Sequence, residues 1–245
     1  MPTARHIQKI YAQQDRILLA IKKMKSFPFV LSGGTALSRF YFHHRFSEDL
    51  DFFYEGSEFS FEPIDAVIHN LTNQAHFSCK LAGKTDRPER LRVAAYFVET
   101  GLGEPVKVDF LEDHFSGMWS PEDKKSDSGI PLRVDVLDQI YYRKLYSIIE
   151  QRHRLGIITR TKDLVDLFFL HKRHRTIENT IDYYEENNVP MNVEKLMIIL
   201  SEISEKDFSG MEKMKLSSKK FDFKKAVKSF NMAGEHLAQK TLGKI

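Results

Sequence analysis

The 245-residue sequence predicts an α+β fold, in which an N-terminal mixed sheet with helices is followed by a helical C-terminal lobe. Short apolar runs bounded by turn residues, typical of strands, lie in the first half. After residue 125 the apolar spacing changes from a period of about 2 to a period of about 3.6. The polar segment "SPEDKKSDSG" at 120–129 separates the two patterns and reads as an exposed loop or linker. We therefore predict lobes at residues 1–125 and 126–245.

The first lobe opens with a predicted amphipathic helix at residues 6–26, where apolar side chains recur at helical spacing. "FPFVL" then predicts a short buried strand that ends at the pair Gly33-Gly34. "TALSRFYFH" resumes helical spacing, with Ser32 or Thr35 placed to cap the helix. Further strands are predicted at "DLDFF", "LRVAAYFV" and "PVKVDFL".

The second lobe shows helical periodicity almost throughout. Its helices are predicted at residues 135–154, 161–174, 176–187, 191–203 and 221–240.

Composition excludes several classes of protein. A lone cysteine, Cys79, cannot form an internal disulfide or a thiolate metal cluster, so a metal here takes oxygen or imidazole ligands. The longest apolar runs, such as "LVDLFFL", are far shorter than a membrane span, and the N-terminus is too polar for a secretory signal. We expect cytoplasmic residence and no membrane partner.

The charges are distributed unevenly along the chain. Residues 47–65 hold seven acids and no Lys or Arg. Residues 133–175 hold ten Lys or Arg against five acids, and residues 210–245 hold nine lysines against three acids. An acidic patch beside basic segments suits a metal site that faces a polyanion, although solvated surface charge explains the composition equally well.

The glycine pair lies at a strand-to-helix turn, which presents backbone N–H groups and the positive end of a helix to one small volume. Gly33 and Gly34 would let a triphosphate approach the backbone, and the Ser32 and Thr35 hydroxyls could add hydrogen bonds. The alternative is a tight turn with no ligand, which is the commoner use of Gly-Gly.

The D-L-D triplet follows within one strand. Alternate residues of a strand share a face, so Asp49 and Asp51 point the same way, with Cα atoms about 6.5 to 7 Å apart, while Leu50 and Phe52 enter the core. Adjacent carboxylates repel each other, and Mg²⁺ or Mn²⁺ would remove that cost while binding substrate phosphates. The alternative is an exposed acidic strand edge.

"PVKVDFL" offers a third carboxylate. Val106, Val108 and Phe110 alternate inward, which leaves Lys107 and Asp109 on the opposite face. If this strand pairs beside the D-L-D strand, Asp109 completes a metal-binding trio and could accept the proton of an attacking hydroxyl. Otherwise Asp109 is an ordinary solvent-facing side chain.

Together, the glycine pair, the helix, the D-x-D triplet and a later strand Asp resemble the nucleotidyltransferase superfamily typified by DNA polymerase beta. "SGGTAL" followed by "HRFSEDLDFF" resembles more closely the AbiEii/AbiGii toxin family of nucleotidyltransferases. "YYRKLYSIIEQRHRLGIITRTKDLVDLFFL" is similar to the second signature of that family, in which a helix lysine precedes an arginine-rich loop and a K-D-x-x-D-L helix. The resemblance spans residues 25–175.

The resemblance implies a polymerase-beta-like nucleotidyltransferase fold and an Mg²⁺-dependent enzyme that transfers NMP from an NTP to an acceptor hydroxyl. It implies a toxin with a cognate antitoxin, and RNA as acceptor, plausibly the 3′ end of tRNA. The basic segments 152–175 and 213–228 would contact that RNA. Two alternatives stay open: a nucleotide- or RNA-binding module without turnover, and an enzyme that modifies a protein hydroxyl.

Lys144 is a charge within an apolar stripe, because Leu137, Tyr141 and Ile148 share its face of the predicted helix. The resemblance implies that Lys144 contacts the triphosphate or the attacking group. The alternative is a lysine whose stem packs while its ammonium reaches water. Arg143 is the second candidate for the cationic role.

The resemblance also implies that Asp163 is a catalytic or nucleotide-positioning carboxylate and that Asp166 holds Lys144 or an arginine in place. For Asp163, a place in the first turn of a helix is a sufficient structural reason by itself. Arg45 and His44 precede the D-x-D carboxylates and could meet the triphosphate.

Overall fold

The computed structural model describes residues 3–87, 91–155, 161–209, 216 and 221–243, and their side chains except those of 152–155. These residues form two compact units that divide between Val136 and Leu137. The division falls later than the boundary expected at residue 125, because the segment after that residue still contributes a strand to the N-terminal sheet. Each unit is described by itself below.

Among its described residues, the first unit contains three helical segments and seven strands. In chain order they are α1 Ala4–Lys22, β1 Phe29–Ser32, α2 Gly33–Ala36 with a π-helical continuation Leu37–Phe42, β2 Leu50–Tyr54, α3 Glu62–Asn73, β3 Ser78–Thr85, β4 Val93–Glu99, β5 Val106–Leu111, β6 Glu122–Lys125 and β7 Pro131–Val134.

The strands form one mixed sheet in the order β3-β4-β5-β2-β1-β7-β6. The pairs β2/β5 and β1/β7 are parallel, and the remaining neighbours are antiparallel. Strand β5 therefore lies directly beside β2 although more than 50 residues separate them in sequence. The strands predicted at "FPFVL", "DLDFF", "LRVAAYFV" and "PVKVDFL" are all present, with β2 beginning at Leu50 rather than Asp49.

One face of the sheet is buried and the other is partly exposed. On β5, Val106, Val108 and Phe110 are at most 1% exposed, and the Phe110 ring stacks on Phe52 of β2 with centroids 5.8 Å apart. Helices α1 and α3 pack against this half of the unit with fully buried aliphatic side chains, among them Ile17 of α1. On β2, β4 and β5 the partly exposed face carries the intervening residues, as the period of two requires.

Four elements of this unit are not predicted from the sequence. Strands β3 and β6 carry mostly exposed side chains on both faces and lie at the sheet edges, so they lack the alternation that marks a half-buried strand. The loop expected at 120–129 is therefore partly strand. Strand β7 has only four residues. Helix α3 did carry a signal, with Ile64, Val67 and Leu71 at helical spacing.

The second unit is helical where it is described. Its elements are α4 Leu137–Leu155, α5 Thr161–Arg173, α6 Ile177–Glu186, α7 Val193–Glu202, a 3₁₀ turn Glu205–Phe208 and α8 Phe223–Leu242. Every helix predicted for this unit is present, with ends shifted by at most two residues, whereas α1 of the first unit ends four residues before its predicted end. The predicted α+β fold class, with a mixed sheet followed by a helical lobe, is thus confirmed. Across the described ranges no helix combines the length and apolarity that crossing a membrane demands.

Candidate active site

The glycine turn and the D-L-D strand meet in space. Ser32, the last residue of β1, pairs with Asp51 of β2, and Gly33 follows with a left-handed φ of 68°. A Cβ atom on Gly33 would lie 2.7 Å from Asp51 Oδ2, closer than a side chain can approach. Glycine is therefore required twice over, by the backbone conformation and by the carboxylate beside it. The turn is more than a way to reverse the chain, because it brings backbone within contact distance of an acidic side chain.

Gly34 is in close contact with the residues that precede the carboxylates. A Cβ atom there would lie 2.0 Å from Arg45 Nη2 and 3.1 Å from Ser47 Oγ. Arg45 is 5% exposed, and its Nη1 donates to the Phe46 carbonyl over 2.9 Å. The guanidinium predicted to meet a triphosphate thus lies directly over the glycine turn.

The hydroxyls beside the glycines point inward. Thr35 is fully buried; its hydroxyl donates to the Asp49 carbonyl and lies 2.9 Å from Ser47 Oγ. Ser32 is also fully buried, and its Oγ has no hydrogen-bond partner within the described ranges. Neither side chain caps the helix that starts at Gly33, as far as the described residues show. Thr35 instead fixes the segment that leads into Asp49.

Helix α1 supports the same segment from outside the sheet. Gln14 is fully buried, and its amide Nε2 donates to the Ser47 and Glu48 carbonyls, each over 3.0 Å. Its Oε1 accepts from Arg39 Nη1 over 3.3 Å. The backbone just before Asp49 is therefore tied to α1 by a side chain that sequence reasoning did not single out.

Arg39 is the buried ionic centre of this unit. It is 1% exposed, and its Nη2 lies 2.6 Å from carboxylate oxygens of both Asp15 and Asp127. The guanidinium also stacks over the Tyr11 ring at 4.6 Å, and burial raises the pKa of the Tyr11 phenol. A buried ion pair is stabilising only when further hydrogen bonds satisfy its charged groups, and each of the three guanidinium nitrogens of Arg39 donates at least one hydrogen bond. Arg39 joins α1, the helix after Gly34 and the loop after β6.

The third carboxylate lies where the sequence required it. Strands β2 and β5 run parallel, with Asp51 opposite Asp109 and Leu50 opposite Val108. Paired side chains on neighbouring strands leave the same face about 5 Å apart. Asp109 Oδ2 lies 2.5 Å from Lys107 Nζ, whereas Oδ1 is buried without a hydrogen-bond partner in the part of the chain described. Asp109 therefore has one oxygen paired with a lysine and one oxygen without a hydrogen-bond partner among the described residues, and it lies beside a second carboxylate.

These carboxylates fit a divalent cation that also binds substrate. Within the described ranges no cluster of three or more His, Cys, Asp or Glu side chains is arranged to hold a metal ion by itself. Mg²⁺ seldom needs such a cage, because it keeps waters and is usually bound by one or two carboxylates together with substrate phosphates. The buried, unpartnered Oδ1 of Asp109 and the Asp51 carboxylate in contact with Gly33 are the groups that such a cation would bind.

In the helical unit, Lys144 of α4 is bound by both carboxylates of α5. Its Nζ lies 2.5 Å from Asp163 Oδ1 and 2.9 Å from Asp166 Oδ2. The Lys144 side chain is 12% exposed, and those of Asp163 and Asp166 are 7% and 0% exposed. The ammonium is therefore paired inside the unit rather than extended into water.

Asp163 receives two further hydrogen bonds to its second oxygen. Ser147 Oγ donates to Asp163 Oδ2 over 3.2 Å, and Gln151 Nε2 donates to the same oxygen over 3.1 Å. Both donors lie on α4 at helical spacing from Lys144, so one face of α4 supplies every described contact of this carboxylate. First-turn dipole stabilisation alone does not account for so many donors to Asp163.

Sequence reasoning missed Gln14, Arg39, Ser147 and Gln151. Gln14 and Arg39 carried a readable signal, since each is polar within a segment whose neighbours at helical spacing are apolar. The partners of Ser147 and Gln151 become visible only when α4 lies against α5. The basic segments 152–175 and 213–228 fall partly outside the described residues, which leave out 156–160 and all of 213–220 except residue 216.

A mixed sheet with a glycine turn abutting a strand carboxylate, and a second carboxylate on the adjacent parallel strand, is the arrangement expected of the nucleotidyltransferase class that the sequence resembles. A family model described as the nucleotidyl transferase AbiEii toxin of a type IV toxin–antitoxin system matches residues 16–229. The chain belongs to this family and is a toxin-class nucleotidyltransferase. The family implies an NTP substrate, a divalent metal and a cognate antitoxin.

Solved structures show the same fold. MenT4, a nucleotidyltransferase toxin from Mycobacterium tuberculosis, superimposes with a TM-score of 0.66 at 19% identity, over 95% of this chain and 84% of that one. A nucleotidyltransferase from Helicobacter pylori gives a TM-score of 0.55 at 19% identity, over 99% of both chains. JHP933 from Helicobacter pylori gives 0.56 at 18% identity, over 100% and 96%. A comparison with curated protein sequences found no match.

Proposed function

We propose that this protein transfers a nucleoside monophosphate from an NTP to a hydroxyl of RNA, at the 3′ end of tRNA, in an Mg²⁺-dependent reaction. The observation that carries the proposal is the approach of Gly33 to the Asp51 carboxylate. Phosphate oxygens can approach a glycine backbone closely. A cation that binds both a phosphate and a carboxylate needs the glycine turn and the carboxylate to lie side by side.

Nucleotide binding is assigned to the glycine turn and the guanidinium above it. The triphosphate would contact the backbone of Gly33 and Gly34, with Arg45 as the adjacent positive charge. The buried Ser32 and Thr35 act by shaping the turn, since the Thr35 hydroxyl is used on the Asp49 carbonyl. Most of the catalytic benefit of such a site is positioning, so few side chains are needed.

Asp49, Asp51 and Asp109 are the residues that would hold Mg²⁺ or Mn²⁺. When bound, the ion neutralises charge that develops on the transferring phosphoryl group. In the reaction the acceptor oxygen forms a bond to the α-phosphorus, the bond from that phosphorus to the bridging oxygen breaks, and pyrophosphate leaves. We assign to Asp109 the role of taking the proton of the acceptor hydroxyl, because its Oδ1 has no hydrogen-bond partner among the described residues.

In the helical unit, Lys144 is the cation that we assign to the transfer reaction. Asp163 and Asp166 keep its ammonium in one place, and Ser147 and Gln151 in turn hold Asp163. Asp163 receives donors at both of its oxygens and has the slight exposure that a working carboxylate needs, whereas Asp166 is fully buried and suits a positioning role.

The experiment is incubation of the purified protein with each α-labelled NTP, Mg²⁺, and either total cellular RNA or total cellular protein. We expect label in the RNA fraction, concentrated at tRNA 3′ ends and abolished by Asp51→Asn. The matched control is Asp123→Asn, which removes an exposed carboxylate from the edge strand β6.

Label confined to the protein fraction would contradict the RNA acceptor and favour a protein-modifying enzyme. Label in neither fraction, together with retained RNA binding, would favour a module without turnover.

A further inference from the structure

A row of three side chains crosses the exposed face of the sheet beside the carboxylates. Lys80 of β3 pairs with Phe97 of β4, and Phe97 pairs with Lys107 of β5. Phe97 is 42% exposed, the Lys107 side chain is 39% exposed, and Lys80 is exposed. Because neighbouring strands are about 4.8 Å apart and paired side chains share a face, an aromatic ring stands between two ammonium-bearing side chains.

The row adjoins the carboxylates directly. One step along each strand on the same face, Ala95 of β4 pairs with Asp109 of β5, which pairs with Asp51 of β2. Two residues along a strand span about 6.5 to 7 Å, which is close to the separation of successive nucleotides in a single strand. Ala95 presents only a methyl group between Phe97 and the acids. Since Asp109 lies one strand further across, paired with Ala95, a group lying on Phe97 is about 8 Å from Asp109, within the reach of one nucleotide.

An exposed phenylalanine alone would need no explanation. Phe97, however, lies between two lysines and in register with the acids. Proteins that bind single-stranded nucleic acid combine aromatic side chains that stack on bases with cations that contact the phosphate backbone, so this arrangement favours nucleic-acid binding. Lys107 keeps donors for a phosphate, since an ammonium has three and Asp109 Oδ2 takes one. Glu99, two residues beyond Phe97 on the same face, bounds the row with a negative charge.

We propose that the row Lys80–Phe97–Lys107 binds the single-stranded end of the RNA acceptor, with a base stacked on Phe97 and phosphates at the two lysines. This inference rests on the proposed function and specifies its acceptor site: the nucleotide on Phe97 leaves the terminal hydroxyl next to Asp109 and Asp51. Stacking on one aromatic ring accepts any base, so this row selects single-stranded RNA ends without reading their sequence.

The test is fluorescence anisotropy of the full chain with a short 5′-fluorescein-labelled oligoribonucleotide that has a free 3′-hydroxyl, without NTP. Phe97→Ala is expected to weaken binding about 10-fold, since base stacking on an aromatic side chain contributes on that order. Phe97→Tyr should restore the affinity. Lys80→Gln should weaken binding and lower the slope of log affinity against log salt by about 1.

Matched controls lie on the opposite face of the same edge strand. Leu81 is 51% exposed and pairs with Tyr96, and Lys84 places its ammonium 3.6 Å from the centre of the Phe61 ring. Leu81→Ala and Lys84→Gln should bind the oligoribonucleotide like the wild type. Circular dichroism and the melting temperature establish that every variant is folded.

The proposal would be overturned if the Phe97→Ala and Leu81→Ala variants bound the oligoribonucleotide with equal affinity. It would also be overturned if the Phe97→Ala variant still transferred label to protein and bound RNA as the wild type does. The outcome is separable from that of the proposed function. If no acceptor is labelled but RNA affinity still depends on Phe97 and Lys80, the RNA row stands and the transferase proposal fails. If transfer to RNA occurs with the same KM for Phe97→Ala as for the wild type, the transferase stands and the row fails.

Discussion

Asp51 and Asp109 are lateral neighbours on two parallel strands, and they share the face of the sheet that Gly33 approaches. The two acids come from segments that are far apart in sequence, so their pairing is a property of the sheet order. Their proximity has an electrostatic cost that Lys107 offsets at one oxygen of Asp109 only. The first prediction follows from this arrangement.

Replacing Asp51 with Asn should reduce nucleotide transfer at least about 100-fold, because charge stabilisation at the reacting group is lost. Asp51 is partly exposed and stands opposite a like charge, so the free energy of unfolding should change by less than about 1 kcal/mol. Transfer assays and urea denaturation of the same preparations measure both quantities. A large loss of stability would mean that Asp51 is a structural residue.

Gly33→Ala should cost about 1 to 3 kcal/mol of folding free energy and most of the activity, because it adds strain at positive φ and a clash with Asp51. Gly101→Ala is the matched control. Gly101 has a φ of 84°, and a Cβ there would meet nothing within 4 Å in the described structure. Urea denaturation of both variants isolates the cost of the contact with Asp51, and equal costs would show that this contact is unimportant.

Lys144→Met should destabilise the helical unit by about 3 to 5 kcal/mol, because it leaves two buried carboxylates without their shared cation. Gln151→Ala removes only one of the donors to Asp163 and should cost about 1 kcal/mol. Calorimetry or urea denaturation provides the comparison. Lys144→Arg keeps the charge and tests function: a variant that is folded but inactive supports the role of Lys144 in transfer.

Arg39→Met should lower the unfolding free energy of the first unit by about 3 to 5 kcal/mol, because Asp15 and Asp127 lose their buried partner. Arg133→Met is the exposed counterpart. Arg133 pairs with Glu55 at 3.1 Å with a side chain 55% exposed, and such surface pairs contribute less than about 1 kcal/mol. Similar losses for both variants would contradict the central role given to Arg39.

Acidification should destabilise the helical unit through His171. Burial lowers the pKa of His171, helped by the charge of Lys172, and its Nδ1 accepts the Ile177 N–H over 3.2 Å. Because the folded pKa lies below the unfolded value of about 6.5, this contribution is present above pH 6.5 and is lost as the pH falls through the folded pKa. Denaturation at a series of pH values should therefore show a steeper fall below about pH 6.5 for the wild type than for His171→Gln. Parallel curves would contradict this prediction.

Much of the fold could be predicted because the spacing of apolar residues within each segment indicates a helix or a strand. Alternation in "PVKVDFL" placed Asp109 and Lys107 on the face opposite Val108, and the structure agrees. The edge strands β3 and β6 were not predicted, because a strand that is exposed on both faces shows no alternation of apolar and polar residues. The D-x-D and glycine motifs pointed to residues that the fold brings together, but not to Gln14, which holds the segment before Asp49, or to Arg39, which donates to Gln14.

The sequence by itself determined which residues are candidates for the chemistry and which face of each element they occupy, because helix and strand geometry fix the face from neighbouring residues alone. Only the tertiary structure decided that β5 lies beside β2, that Gly33 meets Asp51, and that Lys144 is shared by Asp163 and Asp166. Strand order and helix pairing depend on how distant apolar faces bury one another, and no short stretch of sequence records that choice.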